Sequence, residues 1–263
     1  ACAGDAPIDL LIRLGDVPEH LDDARYLTPR LEANDRDCLI IIPELCRLYV
    51  RDGREITVDR LMRSDGRPGR AADLRLYLLG SGMGAALHQR SWLPLHVGAV
   101  RAAGRIWAFT GPSGAGKSTL TATLHLKYGL PLVSDDVLAL RLDQLPPKVF
   151  PGPRKLKLWQ DAAEYLRCDP GDLVQDLSGT PKFQLYLGDG DADPHPEPLH
   201  ALVLLESSSE PGTPHLERLS GAKAFDACLT ALYRPYMAYW YRTPQAVLAD
   251  LVMFNDQVTI DSL

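Results

Sequence analysis

The chain has 263 residues, of which 46% are hydrophobic and 24% are charged, and its formal net charge is −6. This composition is typical of a globular protein with enough apolar material for a core, and the acidic balance disfavours a nucleic-acid partner held by bulk electrostatics. No run of about 18 apolar residues is present, so we expect no membrane span. The five cysteines are scattered without a C-x-x-C pair, which disfavours a disulfide framework or a zinc site and favours a reducing, cytoplasmic setting.

The first 90 residues predict a small α+β region. Residues 8–14 and 38–43 have the composition of strands, and residues 46–51 alternate apolar and polar side chains. Asp52-Gly53 supplies a tight turn into a further strand at residues 55–58. These patterns together predict a small antiparallel sheet.

A helical pattern follows at residues 71–89, where apolar residues recur at helical spacing. Three glycines weaken its centre, namely Gly80, Gly82 and Gly84. No lysine follows them as it would in a phosphate-binding loop, so close packing of the helix is the favoured explanation. The pattern then changes, which predicts a boundary between an N-terminal region, 1–90, and a second domain, 91–263.

The second domain alternates buried strands with helices, which predicts an α/β fold with a mixed sheet and flanking helices. The expected strands cover residues 93–100, 106–110, 131–142 and 199–206. The expected helices cover residues 120–127, 160–166, 221–233 and 244–254. Residues 151–159 begin with Pro-Gly-Pro and are expected to form a loop.

One motif stands out in this domain. Residues Gly111 to Thr119 match the pattern G-x-x-x-x-G-K-[ST] at every fixed position. A strand, this loop and a helix form the unit that wraps backbone N–H groups and a helix N-terminus around a polyphosphate, and an incidental glycine-rich turn is the weaker alternative. The candidates for binding ATP are Gly111, Ser113, Gly114, Ala115, Gly116, Lys117, Ser118 and Thr119. Lys117 is expected to reach the β- and γ-phosphates, and the Ser118 hydroxyl to bind Mg²⁺.

A pair of carboxylates forms the second candidate group. Asp135-Asp136 closes an apolar strand about one short helix after Lys117. One carboxylate at such a place can hold Mg²⁺, and the other can accept the proton of an incoming hydroxyl. The spacing favours this interpretation over a turn-initiating pair, and it leaves open which aspartate has which role.

His96 and a group of cations are weaker candidates. His96 lies in the strand before the hairpin that enters the loop, and a single strand histidine is more often structural than catalytic. Arg154, Lys155 and Lys157 follow the carboxylates in the chain. They could contact the γ-phosphate or an anionic substrate tail, although a solvated basic loop fits the composition equally well.

The order of these motifs resembles a known family. The runs 95–100, 111–119 and 132–137 are similar to the kinase domain of bacterial HPr kinase/phosphorylase, and the resemblance covers residues 93–142 well. It implies a P-loop kinase fold in which Asp135 activates a serine hydroxyl, Asp136 and Ser118 lie at the Mg²⁺, and His96 lies in the same site.

The chain also departs from that family. The glycine-rich, Glu-containing loop expected after the aspartates is not found, and residues 151–157 stand roughly in its place. The first 90 residues do not look like the family's usual N-terminal domain. The chain is more similar to the shorter kinases that phosphorylate a C-terminal serine of lasso-peptide precursors. That resemblance implies that Arg154, Lys155, Lys157 and Lys182 hold a peptide and its carboxylate.

We therefore expect an ATP- and Mg²⁺-dependent kinase that acts on a serine of a peptide or small protein, with Lys117, Asp135, His96 and Arg154 as its catalytic candidates. Three alternatives stay open: a P-loop ATPase or regulatory switch, a small-molecule kinase, and a binding protein with a vestigial site. Homo-oligomerisation is compatible with the sequence but not indicated by it.

Overall fold

The computed structural model describes residues 9–188, 195–206 and 213–263. The chain divides into two compact units. The first comprises the residues up to Ser91 together with Tyr236–Arg242, and the second comprises Trp92–Pro235 together with Thr243–Leu263. No sequence pattern had indicated that a C-terminal segment belongs with the first unit. Across the described residues, no helix has the length and apolarity that a membrane crossing requires.

The first unit is built on a six-stranded sheet. Its strands are β1 (Leu11–Leu14), β2 (Tyr26–Thr28), β3 (Leu31–Ala33), β4 (Asp37–Ile42), β5 (Cys46–Arg51) and β6 (Glu55–Arg60). The order is β1-β6-β5-β4-β3-β2, and neighbours are antiparallel except that β1 runs parallel to β6. The expectation of a purely antiparallel sheet was therefore wrong at β1. The Asp52-Gly53 turn is confirmed, because both residues have positive φ, 49° and 64°, as a tight hairpin turn requires.

Two short helices pack in the first unit, α1 (Ala71–Tyr77) and α2 (Met83–Gln89), and a π-helical turn at Leu78–Gly82 joins them. The glycine-weakened centre of the predicted helix is this turn. A Cβ at Gly82 would lie 3.5 Å from a methyl of Leu48 and 3.6 Å from one of Ile56, which are ordinary contact distances. An alanine would therefore fit at Gly82, and close packing does not require a glycine there.

The second unit contains the strands that follow. They are β7 (Leu93–Leu95), β8 (Gly98–Ala102), β9 (Arg105–Thr110), β10 (Leu132–Asp135), β11 (Leu138–Arg141), β12 (Lys148–Phe150), β13 (Lys155–Trp159), β14 (Leu173–Gln175), β15 (Lys182–Tyr186), β16 (Glu197–Leu204), β17 (Glu217–Arg218) and β18 (Thr259–Ser262). The remaining helices are α3 (Lys117–Leu126), α4 (Gln160–Tyr165), α5 (Gly221–Ala231), α6 (Pro235–Tyr241) and α7 (Pro244–Gln257). Of these, α6 contributes Met237 to the core of the first unit.

The larger sheet of the second unit mixes parallel and antiparallel pairs, which confirms the predicted α/β fold with a mixed sheet and flanking helices. Its main path runs β10-β8-β9-β16, with β18 and β17 beyond β16, while β12, β11 and β7 continue from the start of β16. β9 and β10 both run antiparallel to β8. Their carboxyl ends therefore meet the start of β8 at one edge, where Gly98 pairs with both Phe109 and Asp135.

Two of the expected strands are broken at that edge. The run 93–100 divides into β7 and β8 because β7 pairs with β11 whereas β8 pairs with β9 and β10, so the chain changes partners at His96-Val97. The run 131–142 divides in the same way at Asp136, whose φ of 100° turns the chain out of β10. His96 and Asp136 consequently lie in the breaks between strands.

A separate three-stranded sheet has the order β13-β15-β14. The expectation of a loop over residues 151–159 was therefore wrong from Lys155 onward. Along β13 the leucines Leu156 and Leu158 alternate with polar residues, and both leucines are fully buried against α3 and α4. This alternation has the period of a strand, which the preceding prolines had masked.

Candidate functional site

The phosphate-binding loop connects β9 to α3. Gly111, Gly114 and Gly116 have φ values of 146°, 89° and 90°, a region that residues with a Cβ rarely adopt. A Cβ at Gly111 would also lie 2.8 Å from the carbonyl oxygen of Leu205 at the end of β16. The motif glycines are therefore needed for the shape of the loop, which ends at the N-terminus of α3 as an anion site of this type requires.

Lys117 is the first residue of α3 and is largely buried. Its Nζ donates hydrogen bonds to the carbonyl oxygens of Gly111, at 2.8 Å, and Pro112, at 3.0 Å. Burial lowers the pKa of Lys117, and the neighbouring Lys182 lowers it further. Since both of its partners are neutral, an anionic phosphate oxygen would be a stronger acceptor for this ammonium group.

Asp135 is tied to the loop. The Ser118 hydroxyl donates to Oδ1 of Asp135 at 3.0 Å, and the backbone N–H of Lys157 donates to Oδ2 at 2.6 Å. The residue is only 3% exposed. Burial raises the pKa of Asp135 to about 6, against the effect of these two hydrogen bonds and with support from the charge of Asp136.

Asp136 has a different environment. Lys157 Nζ lies 2.6 Å from its Oδ2, and His96 Nε2 lies 3.8 Å from its Oδ1. Burial alone would raise the pKa of Asp136, but the Lys157 ammonium outweighs it and the pKa is lowered. Its side chain is 23% exposed. The site therefore holds one enclosed carboxyl and one ionised carboxylate with access to solvent.

The backbone around His96 is fixed by the residues that follow α5. His96 N–H donates to the carbonyl oxygen of Ala231 at 2.6 Å, and Tyr233 N–H donates to that of Pro94 at 2.8 Å. This pairing ends α5 at Ala231, two residues before the predicted end. The Tyr233 ring meets the His96 ring edge-on, with centroids 6.0 Å apart, and Arg234 Nε donates to the Tyr233 hydroxyl at 3.0 Å.

Tyr233 was missed from the sequence because it lay inside the predicted helix 221–233, and Arg234 was missed because it follows that helix without any motif. The His96 side chain itself is 46% exposed. Desolvation by its surroundings lowers the pKa of His96, opposed by Asp136 and supported by Lys117. The lowered pKa favours the neutral imidazole, and its Nε2 lies toward the Asp136 carboxylate.

Four predicted residues meet at one place: His96, Ser118, Asp135 and Asp136. Arg154 does not join them. Its Nε donates to the carbonyl oxygen of Gly188 at 2.8 Å, and within the described ranges no hydrogen bond or ion pair links it to the phosphate-binding loop. Three other candidates from the loop have different environments. Ser113 is exposed, Ala115 packs against an apolar cluster, and the Thr119 carbonyl accepts a bond from Thr123.

The donor set suits Mg²⁺, since Ser118 Oγ and the Asp135 carboxylate are hard oxygen ligands. Over the part of the chain that the structure describes, no group of three or more His, Cys, Asp or Glu side chains could form a complete metal site.

Comparisons with known proteins give limited information. No protein-family model matches the chain, and no curated protein sequence is similar to it. Among solved structures, the HPr(Ser) kinase/phosphatase from Coxiella burnetii is similar to part of the chain, with a TM-score of 0.28 and 14% sequence identity. The similarity covers 48% of this chain and 70% of that one. Likeness at this level says nothing about activity, so function must be argued from the chemistry of the site.

Proposed function

We propose that the chain is an ATP- and Mg²⁺-dependent kinase that transfers the γ-phosphoryl group to a serine hydroxyl of a peptide or small protein. One arrangement supports this: Asp136 is held by Lys157 and faces His96, while the adjacent Asp135 is bonded to Ser118 of the phosphate-binding loop. The phosphate-binding loop and a partly exposed carboxylate therefore lie next to each other. The similarity of the chain to the shorter kinases of lasso-peptide precursors makes such a precursor peptide the favoured acceptor.

The phosphate-binding loop binds the nucleotide in this reaction. Lys117 exchanges its carbonyl partners for the β- and γ-phosphate oxygens, and the loop N–H groups and the α3 N-terminus stabilise the same charge. Ser118 and Asp135 would hold Mg²⁺. When bound, that ion neutralises the charge of the β- and γ-phosphates.

Asp136 is the better candidate for the base. Both oxygens of Asp135 are engaged and the residue is enclosed, whereas Asp136 is partly exposed and ionised. The family resemblance implied the opposite assignment, with Asp135 as base and Asp136 at the metal, and the sequence had left the choice open. The contacts favour the reverse.

The step balances as follows. The serine hydroxyl gives its proton to an Asp136 carboxylate oxygen while its own oxygen forms a bond to the γ-phosphorus. The bond from that phosphorus to the β–γ bridging oxygen breaks, and ADP leaves. Lys157 keeps the base oriented, and the neutral His96 borders the other oxygen, where the acceptor hydroxyl would enter.

The test is mass spectrometry of acceptors incubated with the protein, ATP and Mg²⁺. The set should include HPr and serine-ended precursor peptides, with Lys117→Ala as the inactive control. We expect a gain of one phosphate on a peptide and none in the control. ATP loss without a phosphorylated acceptor would favour an ATPase or switch, and labelling of a small molecule alone would favour a small-molecule kinase.

The two aspartates can be tested separately in the same assay. Asp136→Asn should lower transfer by about 10²- to 10⁴-fold, the usual range for a lost general base, while nucleotide binding is kept. Asp135→Asn should weaken the Mg²⁺ dependence of nucleotide binding. If instead Asp135→Asn lowers transfer and Asp136→Asn weakens the Mg²⁺ dependence of nucleotide binding, Asp135 is the base.

A further inference from the structure

The three-stranded sheet presents a buried polar face beside the site. Lys155 and Lys157 alternate on β13 with two fully buried leucines, so the two lysines share the opposite face. Lys157 on this face reaches Asp136. Across the sheet, Lys155 pairs in register with Tyr186 and Lys157 with Gln184. The polar face of the sheet therefore extends from the proposed base toward Lys155.

Lys155 makes no ion pair with any described residue, although the charges of Asp136, Asp176 and Asp135 act on it from farther away. It is 5% exposed, and its Nζ has a single hydrogen-bond partner, the neutral Oε1 of Gln184 at 3.3 Å. Over residues 9–188, 195–206 and 213–263 no carboxylate lies within ion-pair distance of it, whereas Lys157 next to it has Asp136. Burial lowers the pKa of Lys155, and the charge of Lys157 lowers it further. A buried cation in this condition costs stability unless an anion joins it.

The partner of Lys155 is itself held in place. The Tyr186 hydroxyl donates to Gln184 Oε1 at 2.8 Å, and the Gln184 amide donates to the Asp176 carboxylate. Gln184 therefore turns its oxygen toward Lys155 and its amide nitrogen toward Asp176. A lysine ammonium has three donors, so this arrangement leaves donors for a ligand.

We propose that Lys155 binds a carboxylate of the acceptor, which makes the enzyme selective for serines with a negative charge close by. This inference rests on the proposed kinase function. Two residues along a strand place the backbones of Lys155 and Lys157 about 7 Å apart, so one short stretch of peptide can contact both side chains. The side chain of a neighbouring acidic residue can lie about that far from the serine hydroxyl, and the α-carboxylate of a terminal serine lies closer to it.

Four peptides distinguish the two sources. One pair ends in serine as the free acid or the amide, and the other has an internal serine followed by Asp or by Asn. We expect the charged member of at least one pair to be favoured by about 10- to 100-fold in kcat/KM, mainly through KM, because a missing partner leaves the ammonium unpaired. Lys155→Met should reduce the preference to within about 2-fold. Lys223→Met, at an exposed position in α5, removes the same charge elsewhere and should keep it.

Stability gives a second measurement. A structural lysine would be needed for folding, whereas a lysine kept for a ligand is costly in the free protein. Lys155→Met should therefore unfold at a higher temperature than the wild type. A lower unfolding temperature together with a retained peptide preference would overturn the proposal, and so would a change in the KM for ATP instead of the KM for the peptide.

A failure of the carboxylate site and a failure of the kinase proposal give different experimental results. If no peptide is phosphorylated by the wild type, the kinase proposal fails. Equilibrium binding of the same four peptides to the protein with a non-hydrolysable ATP analogue then still tests Lys155. Equal affinity for the charged and neutral members of both pairs would overturn the carboxylate site, whether or not transfer occurs.

Discussion

The six-stranded sheet of the first unit and the three-stranded sheet of the second differ in how they hold charged side chains. In the first, inward positions such as Leu48 and Ile56 are apolar and fully buried, and both oxygens of the buried Glu32 are hydrogen-bonded. The ion pair Arg36–Asp52 of this unit lies at the surface. In the second, one face is apolar, and the other buries Lys155 and Lys157. The second sheet pairs Lys157 with Asp136, whereas within the described ranges no ion-pair partner lies beside Lys155.

We infer that the first sheet serves mainly the stability of the fold, whereas the second carries groups that serve the proposed reaction. Burying a charge without a full set of partners costs free energy, and proteins keep such groups mainly where chemistry needs them. In the second unit these groups surround the phosphate-binding loop. The contrast between a surface ion pair and a buried one can be measured directly.

The largest effect is expected from Lys157→Met. The substitution leaves the Asp136 carboxylate in a largely enclosed place without its ion-pair partner, which should lower the free energy of unfolding of the second unit by about 3–5 kcal/mol. Arg36→Met, which breaks the exposed pair with Asp52 in the first unit, should cost under about 1 kcal/mol. Hydrogen exchange read separately on peptides from each unit measures both. Equal losses in the two variants would remove the distinction between the sheets.

The next effect concerns the apolar sheet itself. Leu48→Ala removes a fully buried side chain from the core of the first unit and should cost about 3 kcal/mol, because the surrounding side chains fill the cavity only in part. Leu14→Ala on β1 is the matched control. That side chain is 70% exposed, so the cost should be under about 0.5 kcal/mol. Urea unfolding followed by circular dichroism tests the pair, and a similar cost for both would contradict the assigned core.

The sequence predicted most of the elements around the phosphate-binding loop because their signals are local. The strand before Gly111 and the helix after Ser118 follow from apolar spacing, and the loop follows from a fixed motif. The breaks at His96 and Asp136 were not predicted. Each lies inside a continuous apolar run, and the break arises because the two halves pair with different strands, which depends on contacts distant in sequence.

The site was predictable in its residue types but not in its connections. The pairing of Lys157 with Asp136 requires the register of β13 beside β10, and Tyr233 reaches His96 only through the turn after α5. The alternation of lysine and leucine from Lys155 was a usable strand signal. It was outweighed by the preceding prolines, and by the assumption that a basic run is solvated.

A stability loss of intermediate size tests how closely α3 packs against β8 of the larger sheet. A Cβ at Gly98 would lie 2.0 Å from Thr121 Oγ1 of α3, so Gly98→Ala should displace that helix and cost about 1–3 kcal/mol. Among the described residues Thr121 Oγ1 has no hydrogen-bond partner, so Thr121→Ala alone should be nearly neutral. The double variant should recover part of the loss, since the Cβ of residue 121 would still be 3.0 Å away. Thermal unfolding measures all three, and additive costs would contradict a direct clash.

The smallest effect belongs to a charge in the first unit that solvent reaches freely. His20 Nδ1 lies 2.6 Å from Oε1 of the buried Glu32, whose other oxygen accepts the Leu21 N–H at 2.7 Å. The hydrogen bond to Glu32, and then its charge, raise the pKa of His20 above 6.5. The pair therefore stabilises the unit fully below pH 6.5, and this contribution is lost as the pH rises through the folded-state pKa.

His20→Gln should for that reason lower the unfolding temperature more at pH 5.5 than at pH 8.5, by a small amount because the histidine side chain is 78% exposed. Arg25→Gln, which breaks an exposed pair with Asp35 that contains no histidine, should show the same small loss at both values. A His20→Gln effect independent of pH would mean that the residue acts by packing and not by charge. Charge in the first unit would then contribute still less to stability, and the contrast with the second unit would become larger.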